Sequence, residues 1–221
     1  HGTVRAHAGV CGTGRPAGAL AGIRLAGAGR HGGGSGVRCD SVSGGQAGAE
    51  NGQLTIMVGG DSDAFAKTQP IMDCYAKSIR LMGYSGSGQL TKAVNQLCMA
   101  GILQGLAEGL HFAEQVVRDI DEVVAVISKG AAQSWQMENR SATMAEEKFD
   151  YGFAVDWMRK DLGIALETGN EFSVSLPVTA LVDQFYKDVQ RMGGGRWDTS
   201  RLIQRLRLDR IASNESRSQK P

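Results

Sequence analysis

The apolar positions fall into two textures along the chain. From Leu90 to about Arg118 they recur at helical spacing, through Leu90, Val94, Leu97, Ile102, Leu106, Leu110, Ala113 and Val117. That spacing predicts one long amphipathic helix. Ahead of it, Leu54 to Val58 is a β-branched-rich run closed by Gly59-Gly60, and Ile79 to Tyr84 is a second short strand. Between these strands Asp61 is placed to cap a helix from Ser62 towards Lys77, which Pro70 should kink or divide. Such a β-α-β piece has too few strands to stand alone and reads as the trailing edge of a larger sheet.

Beyond the long helix the pattern stays helical. A second helix spans roughly Ile120 to Lys129 and stops at Gly130; a third runs from about Ala131 to Asn139. The fourth covers Val155 to Thr168 and is ended by Gly169-Asn170. Pro177 opens a fifth, with Leu181, Val182, Phe185, Tyr186 and Val189 on one face and Gly193-Gly194-Gly195 as its stop. Asp198 or Thr199 caps a last short helix, Leu202 to Leu208, and the polar tail from Asp209 is expected to be loose. The fold class expected is mainly α, with a small α/β piece in front.

Two features interrupt the long helix's apolar stripe. Gly101, Gly105 and Gly109 recur every fourth residue, and each costs about 1 kcal/mol in a helix interior, which implies close approach of another backbone. Lys92, Asn95 and Gln96 are spaced i, i+3 and i+4 and so share a face. Three long polar groups there form either a solvated stripe or a site.

With 221 residues, 42% hydrophobic and 21% charged, the chain is long enough for one or two globular domains. No apolar run approaches the roughly 20 residues of a membrane span, and no signal peptide is recognisable at the start. Cys11, Cys39, Cys74 and Cys98 show no C-x-x-C spacing, which argues against zinc or a disulfide scaffold and suits a cytoplasmic protein. His111 and the Glu146-Glu147 pair read as helix surface, so no metal site is expected.

Residues 1–39 differ from the rest. They hold five Arg, three of the four His, and no Lys, Asp or Glu; the first aromatic residue is Phe65. A segment of Gly, Ala and Arg cannot bury enough apolar area to offset its ordering entropy. It reads as a disordered tail, an Arg/Gly nucleic-acid tail, or an out-of-frame translation of GC-rich DNA; the last fits the bias best. The body carries all 23 acidic side chains and does not look like a nucleic-acid or membrane binder.

Three short motifs carry candidate chemistry. Asp40-Ser41-Val42-Ser43-Gly44-Gly45-Gln46-Ala47-Gly48-Ala49 is a glycine-rich turn able to aim a hydroxyl and bare N–H groups at a carboxylate. Gly86-Ser87-Gly88 leads into Lys92 and Asn95 at the start of the long helix. Lys160-Asp161-Leu162 lies on the fourth helix; its plain alternative is an Asp156–Lys160 i, i+4 pair worth about 0.3–0.5 kcal/mol. In this order the motifs resemble the C-terminal portion of the β-hydroxyacid dehydrogenases, a family that includes 3-hydroxyisobutyrate dehydrogenase and tartronate semialdehyde reductase. The likeness covers about Val42 to Leu206.

That resemblance implies a helical domain like the C-terminal domain of 6-phosphogluconate dehydrogenase, preceded by the last strands of a truncated Rossmann-type α/β domain. It divides the chain into residues 1–39, an α/β remnant at 40–85, a helical catalytic and oligomerisation domain at 86–208, and a tail at 209–221. It implies NAD or NADP as cofactor, a short 3-hydroxy acid as substrate, and a homo-oligomer. Lys92 would be the general acid/base, with Ser43, Gly44, Gly45, Asn95 and Gln96 on the substrate and Lys160 and Asp161 on the cofactor. A lysine titrating near 10.4 must be lowered by burial to serve as a base at neutral pH. No strand followed by G-x-G-x-x-G is present; Gly12-Thr13-Gly14 sits in the low-complexity start, with Ala17 where a third glycine belongs. Most of the dinucleotide half is therefore expected to be missing, and the competing reading is a non-catalytic helical association module or an inactive gene fragment.

Overall fold

The computed structural model describes residues 37–116 and 119–208. The low-complexity start up to residue 36 and the polar tail from residue 209 lie outside the described residues. The chain divides between Asn95 and Gln96 into two compact units.

The first unit is built on three strands: β1 (Val37–Ser43), β2 (Leu54–Gly60) and β3 (Ala76–Leu81). The sheet order is β1-β2-β3, with β1 antiparallel and β3 parallel to β2. β2 is the central strand, and Leu54, Ile56 and Val58 join Met72 in its small core. Ile56 lies opposite Ile79 and Val58 opposite Leu81. Strand β1 gives no apolar signal in the sequence, because Asp40, Ser41 and Ser43 occupy three of its seven positions.

Helix α1 (Gly45–Glu50) replaces most of the expected glycine-rich turn, and α2 (Ser62–Met72) follows β2. Asp61 caps α2 as expected, its Oδ1 accepting from the Asp63 and Ala64 amides at 3.0 Å each. The helix ends five residues before Lys77. Pro70 stands in its last turn, where it withdraws one donor without breaking the helix. β3 then starts three residues earlier than the apolar run suggests. Its outward positions carry Lys77 and Arg80, as edge strands do, and hide the strand from a hydrophobicity reading.

Helix α3 (Ser87–Val116) is the predicted long helix; Val117 and Arg118 lie outside the described residues. A Cβ on Gly101, Gly105 or Gly109 would meet nothing within 4 Å. The expected close backbone approach is therefore not made by the described chain. Val94, Ile102, Phe112 and Val116 on or beside that face are exposed as well.

The second unit packs the rest of α3 with α4 (Ile120–Ile127), α5 (Trp135–Ala145), α6 (Val155–Glu171) and α7 (Pro177–Arg191). A 3-10 turn, Thr199–Arg201, leads into a last helix at 202–208. Leu103, Leu110, Met144, Phe149, Val155, Met158, Leu162, Tyr186, Leu202 and Ile203 fill one core, and burying each such side chain contributes about 1.5–3 kcal/mol. Helix α5 starts later than predicted because Ser134 is its cap, its Oγ accepting from the Met137 amide at 3.1 Å. On α7, Val182, Tyr186 and Val189 point inward with Thr179 and Asp183, while Leu181 is 55% exposed. The buried Asp183 takes a two-pronged hydrogen bond from Arg159 of α6 at 2.9 and 3.0 Å.

Asp198, only 2% exposed, ties the end of this unit to its middle. Its carboxylate accepts from the Phe153 amide at 2.9 Å and from the Ser200 amide and hydroxyl at 3.0 and 2.6 Å. Arg140 lies 3.5 Å away. Its own amide donates to the Phe149 carbonyl at 2.9 Å.

Candidate functional site

The first group of candidate residues sits at the strand ends of the first unit. Ser43 closes β1 opposite Thr55 and is half-buried. Gly44 and Gly45 follow with φ of 128° and 61°, a backbone that favours glycine. Both are exposed, and a Cβ on Gly44 would press on Leu54 Cδ2 at 3.2 Å. The result is a hydroxyl followed by two bare amides, a form suited to an anion.

The second piece of this group is the turn that launches α3. Gly60 donates to the Gly83 carbonyl at 2.9 Å and Met82 to the Val58 carbonyl at 2.8 Å, so the turn is sewn to the end of β2. Gly59 lets it come close: a Cβ there would lie 2.7 Å from the Tyr84 oxygen and 3.0–3.1 Å from the Ser87 and Gly86 nitrogens. In the sequence alone Gly59 reads only as the close of a strand. The contact fixes where α3 begins, and with it the second-turn Lys92. Lys92 and Asn95 are both half-buried. In the first turn, the Gln89 Oε1 is buried and has no hydrogen-bond partner.

A cavity of about 340 Å³ lies at the carboxyl ends of β2 and β3, lined by Gly60, Asp61, Ser62, Leu81, Gly83 and Tyr84. This is where open α/β sheets receive ligands. None of the candidate catalytic, substrate or cofactor residues lines it.

In the second unit the structure brings three sequence-predicted residues together. Gln96 is 3% exposed. Its Nε2 donates to Asp161 Oδ2 at 2.8 Å and lies 3.9 Å from Met158 Sδ. Asp161 Oδ1 in turn stands 3.0 Å from the Lys160 Nζ, whose side chain is 54% exposed. The alternative Asp156–Lys160 pairing is not the one made: Asp156 Oδ1 accepts from Gln190 Nε2. Lys160 is thus a half-exposed amine held by an anchored carboxylate. The Gln96–Asp161 bond spans 65 residues of sequence and no local pattern reveals it.

Among the described residues, no group of three or more His, Cys, Asp and Glu could hold a metal ion. No helix among them is long and apolar enough to cross a membrane.

Comparison with known proteins adds the following. Residues 86–206 match the family model described as NAD-binding of NADP-dependent 3-hydroxyisobutyrate dehydrogenase. Residues 39–83 match that of the NAD binding domain of 6-phosphogluconate dehydrogenase. The chain is 60% identical over 169 residues to an uncharacterized oxidoreductase of Shewanella frigidimarina, covering 76% of this chain and 58% of that one. It is 35% identical over 167 residues to the 2-hydroxy-3-oxopropionate reductase of Escherichia coli, with coverages of 76% and 57%. Its structure resembles a crystal structure of 3-hydroxyisobutyrate dehydrogenase from Salmonella typhimurium with a TM-score of 0.68 at 28% identity, covering 75% of this chain and 58% of that one. The chain thus spans little more than half the length of the curated relatives it matches.

Proposed function

The chain belongs to the β-hydroxyacid dehydrogenase family, and on that premise we propose that it interconverts a short 3-hydroxy acid and its semialdehyde or oxo acid. NAD or NADP, when bound, supplies the nicotinamide carbon that accepts or gives up the hydride. The chain's own residues do the rest. Lys92, as a neutral amine, takes the proton from the substrate hydroxyl as the carbon–hydrogen bond breaks. As an ammonium it returns that proton to the carbonyl oxygen in the reductive direction. Ser43 and the amides of Gly44 and Gly45 hold the substrate carboxylate, Asn95 orients the hydroxyl, and Lys160 with Asp161 faces the cofactor.

The observation that supports this reading best is the seat of Lys92. It is half-buried on the second turn of α3, whose start is fixed against β2 through Gly59. The test follows NAD(P)H absorbance with a panel of 3-hydroxy acids and measures NAD(P) binding by calorimetry. Turnover that vanishes in Lys92→Met supports the reading; turnover that survives it refutes the assigned role.

A second reading, a non-catalytic helical association module, draws on the uncovered glycine face of α3. It predicts a homo-oligomer through the helical unit and no cofactor binding. Calorimetry separates the two, because measurable NAD(P) affinity excludes it.

A further inference from the structure

Gln96 is a primary amide placed where an apolar side chain would be cheaper to bury. An amide removed from water costs on the order of 1–3 kcal/mol unless its donors and acceptor are matched. Met158 Sδ lies 3.9 Å from Nε2, and Gln96 itself is only 3% exposed. A polar group in such a place is explained by what it holds, and Nε2 holds Asp161 at 2.8 Å.

Asp161 divides its carboxylate between two partners, Gln96 on one oxygen and Lys160 on the other. Neighbours i and i+1 on a helix point about 100° apart and do not ordinarily pair. Lys160 must therefore reach around α6 to meet Asp161. Its other acid, Asp156, lies one turn earlier and is engaged elsewhere. Gln190 donates to Asp156, and Arg159 donates to Gln190 Oε1 at 2.5 Å and to Asp183. Gly195 also backs directly onto the Asp156 carboxylate. Two polar systems thus occupy α6, and between them they decide which acid the lysine meets.

We propose that Gln96 is a positioning residue: its buried amide fixes the Asp161 carboxylate and, through it, the place of the Lys160 amine. That this amine then serves the cofactor rests on the function proposed above; the positioning itself does not. Gln96 need touch neither substrate nor cofactor, and it acts one helix away from the group it controls.

The experiment is competitive labelling of the full chain with trace acetic anhydride, with the rate at Lys160 read by peptide mass spectrometry against the exposed Lys187 as internal reference. Gln96→Met fills the space without the amide; Gln96→Asn keeps the amide but falls about 1.5 Å short. Either should label Lys160 roughly two- to fivefold faster relative to Lys187, the range an exposed ion pair's strength allows. Asp161→Asn should do the same, and Gln96→Met/Asp161→Asn should exceed neither single variant, because both cut one chain of contacts. A role in packing alone would lower the melting temperature and leave the Lys160 ratio unchanged, which would overturn the proposal. So would effects of the two substitutions that multiply. Repeating the labelling with NADPH tests the functional reading separately. Labelling that responds to Gln96 but not to NADPH leaves the positioning intact and removes the cofactor assignment.

Discussion

Replacing Gly59 by alanine adds one methyl group where the backbone has no room. The added Cβ would lie 2.7 Å from the Tyr84 carbonyl oxygen and 3.0 and 3.1 Å from the Ser87 and Gly86 nitrogens. All three are backbone atoms, so no side chain can swing aside. Ordinary van der Waals contact begins near 3.4 Å, about 0.7 Å further out, and strand β2 or the turn before α3 must yield by that amount. Overpacking of this kind costs about 1–3 kcal/mol. The backbone of Gly59 is not left-handed, so the whole effect is steric. Gly105→Ala is the matched contrast. There the Cβ meets nothing within 4 Å, and a helix-interior glycine exchanged for alanine gains about 0.5–1 kcal/mol. Urea unfolding of the two variants should therefore shift in opposite directions, and any NAD(P)H turnover should fall in Gly59→Ala and persist in Gly105→Ala. A Gly59→Ala chain as stable and as active as the parent would refute the claim that this contact seats Lys92.

Other outcomes follow from single contacts. Lys92→Met should lower hydride-transfer rates by about 10²–10⁴-fold while leaving the melting temperature nearly unchanged, checked by steady-state assay and calorimetry. Burial opposes ionisation of Glu114, but Arg207 and then His111 outweigh it and hold the carboxyl below its ordinary 4.5. Its contribution to stability is therefore present above pH 4.5 and lost as pH falls through the lowered value. Glu114→Gln should accordingly flatten the acid limb of a melting-temperature profile below pH 4.5. Tyr186→Phe should change stability by less than about 1 kcal/mol, because the phenol is wholly buried beside Thr199 and its oxygen makes no well-formed hydrogen bond. A larger loss on thermal melting would show that the hydroxyl has a partner.

The helical unit was readable in the sequence because its signals are local. Pro177 opens α7, Gly193 follows it, and Val182, Tyr186 and Val189 keep the helical period. Strand β1 was not readable, since its polar residues alternate without an apolar face. β3 was displaced because Leu81, Met82 and Tyr84 look more strand-like than the Lys77-Ser78 pair that actually forms the edge. The reason for Gly59 is a contact with Tyr84 and Gly86 that only folding creates. The spacing of Gln96 with Lys92 and Asn95 marks it as a polar position on α3. Its bond to Asp161, however, joins residues 65 positions apart, and nothing in either neighbourhood announces the other. The glycines of α3 were read as a close backbone contact, and the described chain leaves that face open.

Asp198 carries a consequence for how the chain is made. The Phe153 amide waits for a carboxylate that lies 45 residues further on. At roughly 5–20 residues per second, a ribosome takes on the order of 2–9 s to deliver it. Until the segment that carries it is added, Met144, Phe149 and Val155 lack Leu202 and Ile203, their partners in the core. The nascent chain is most vulnerable to wrong partners then, and the segment from Asp198 to Ile203 is the clasp that ends the exposure.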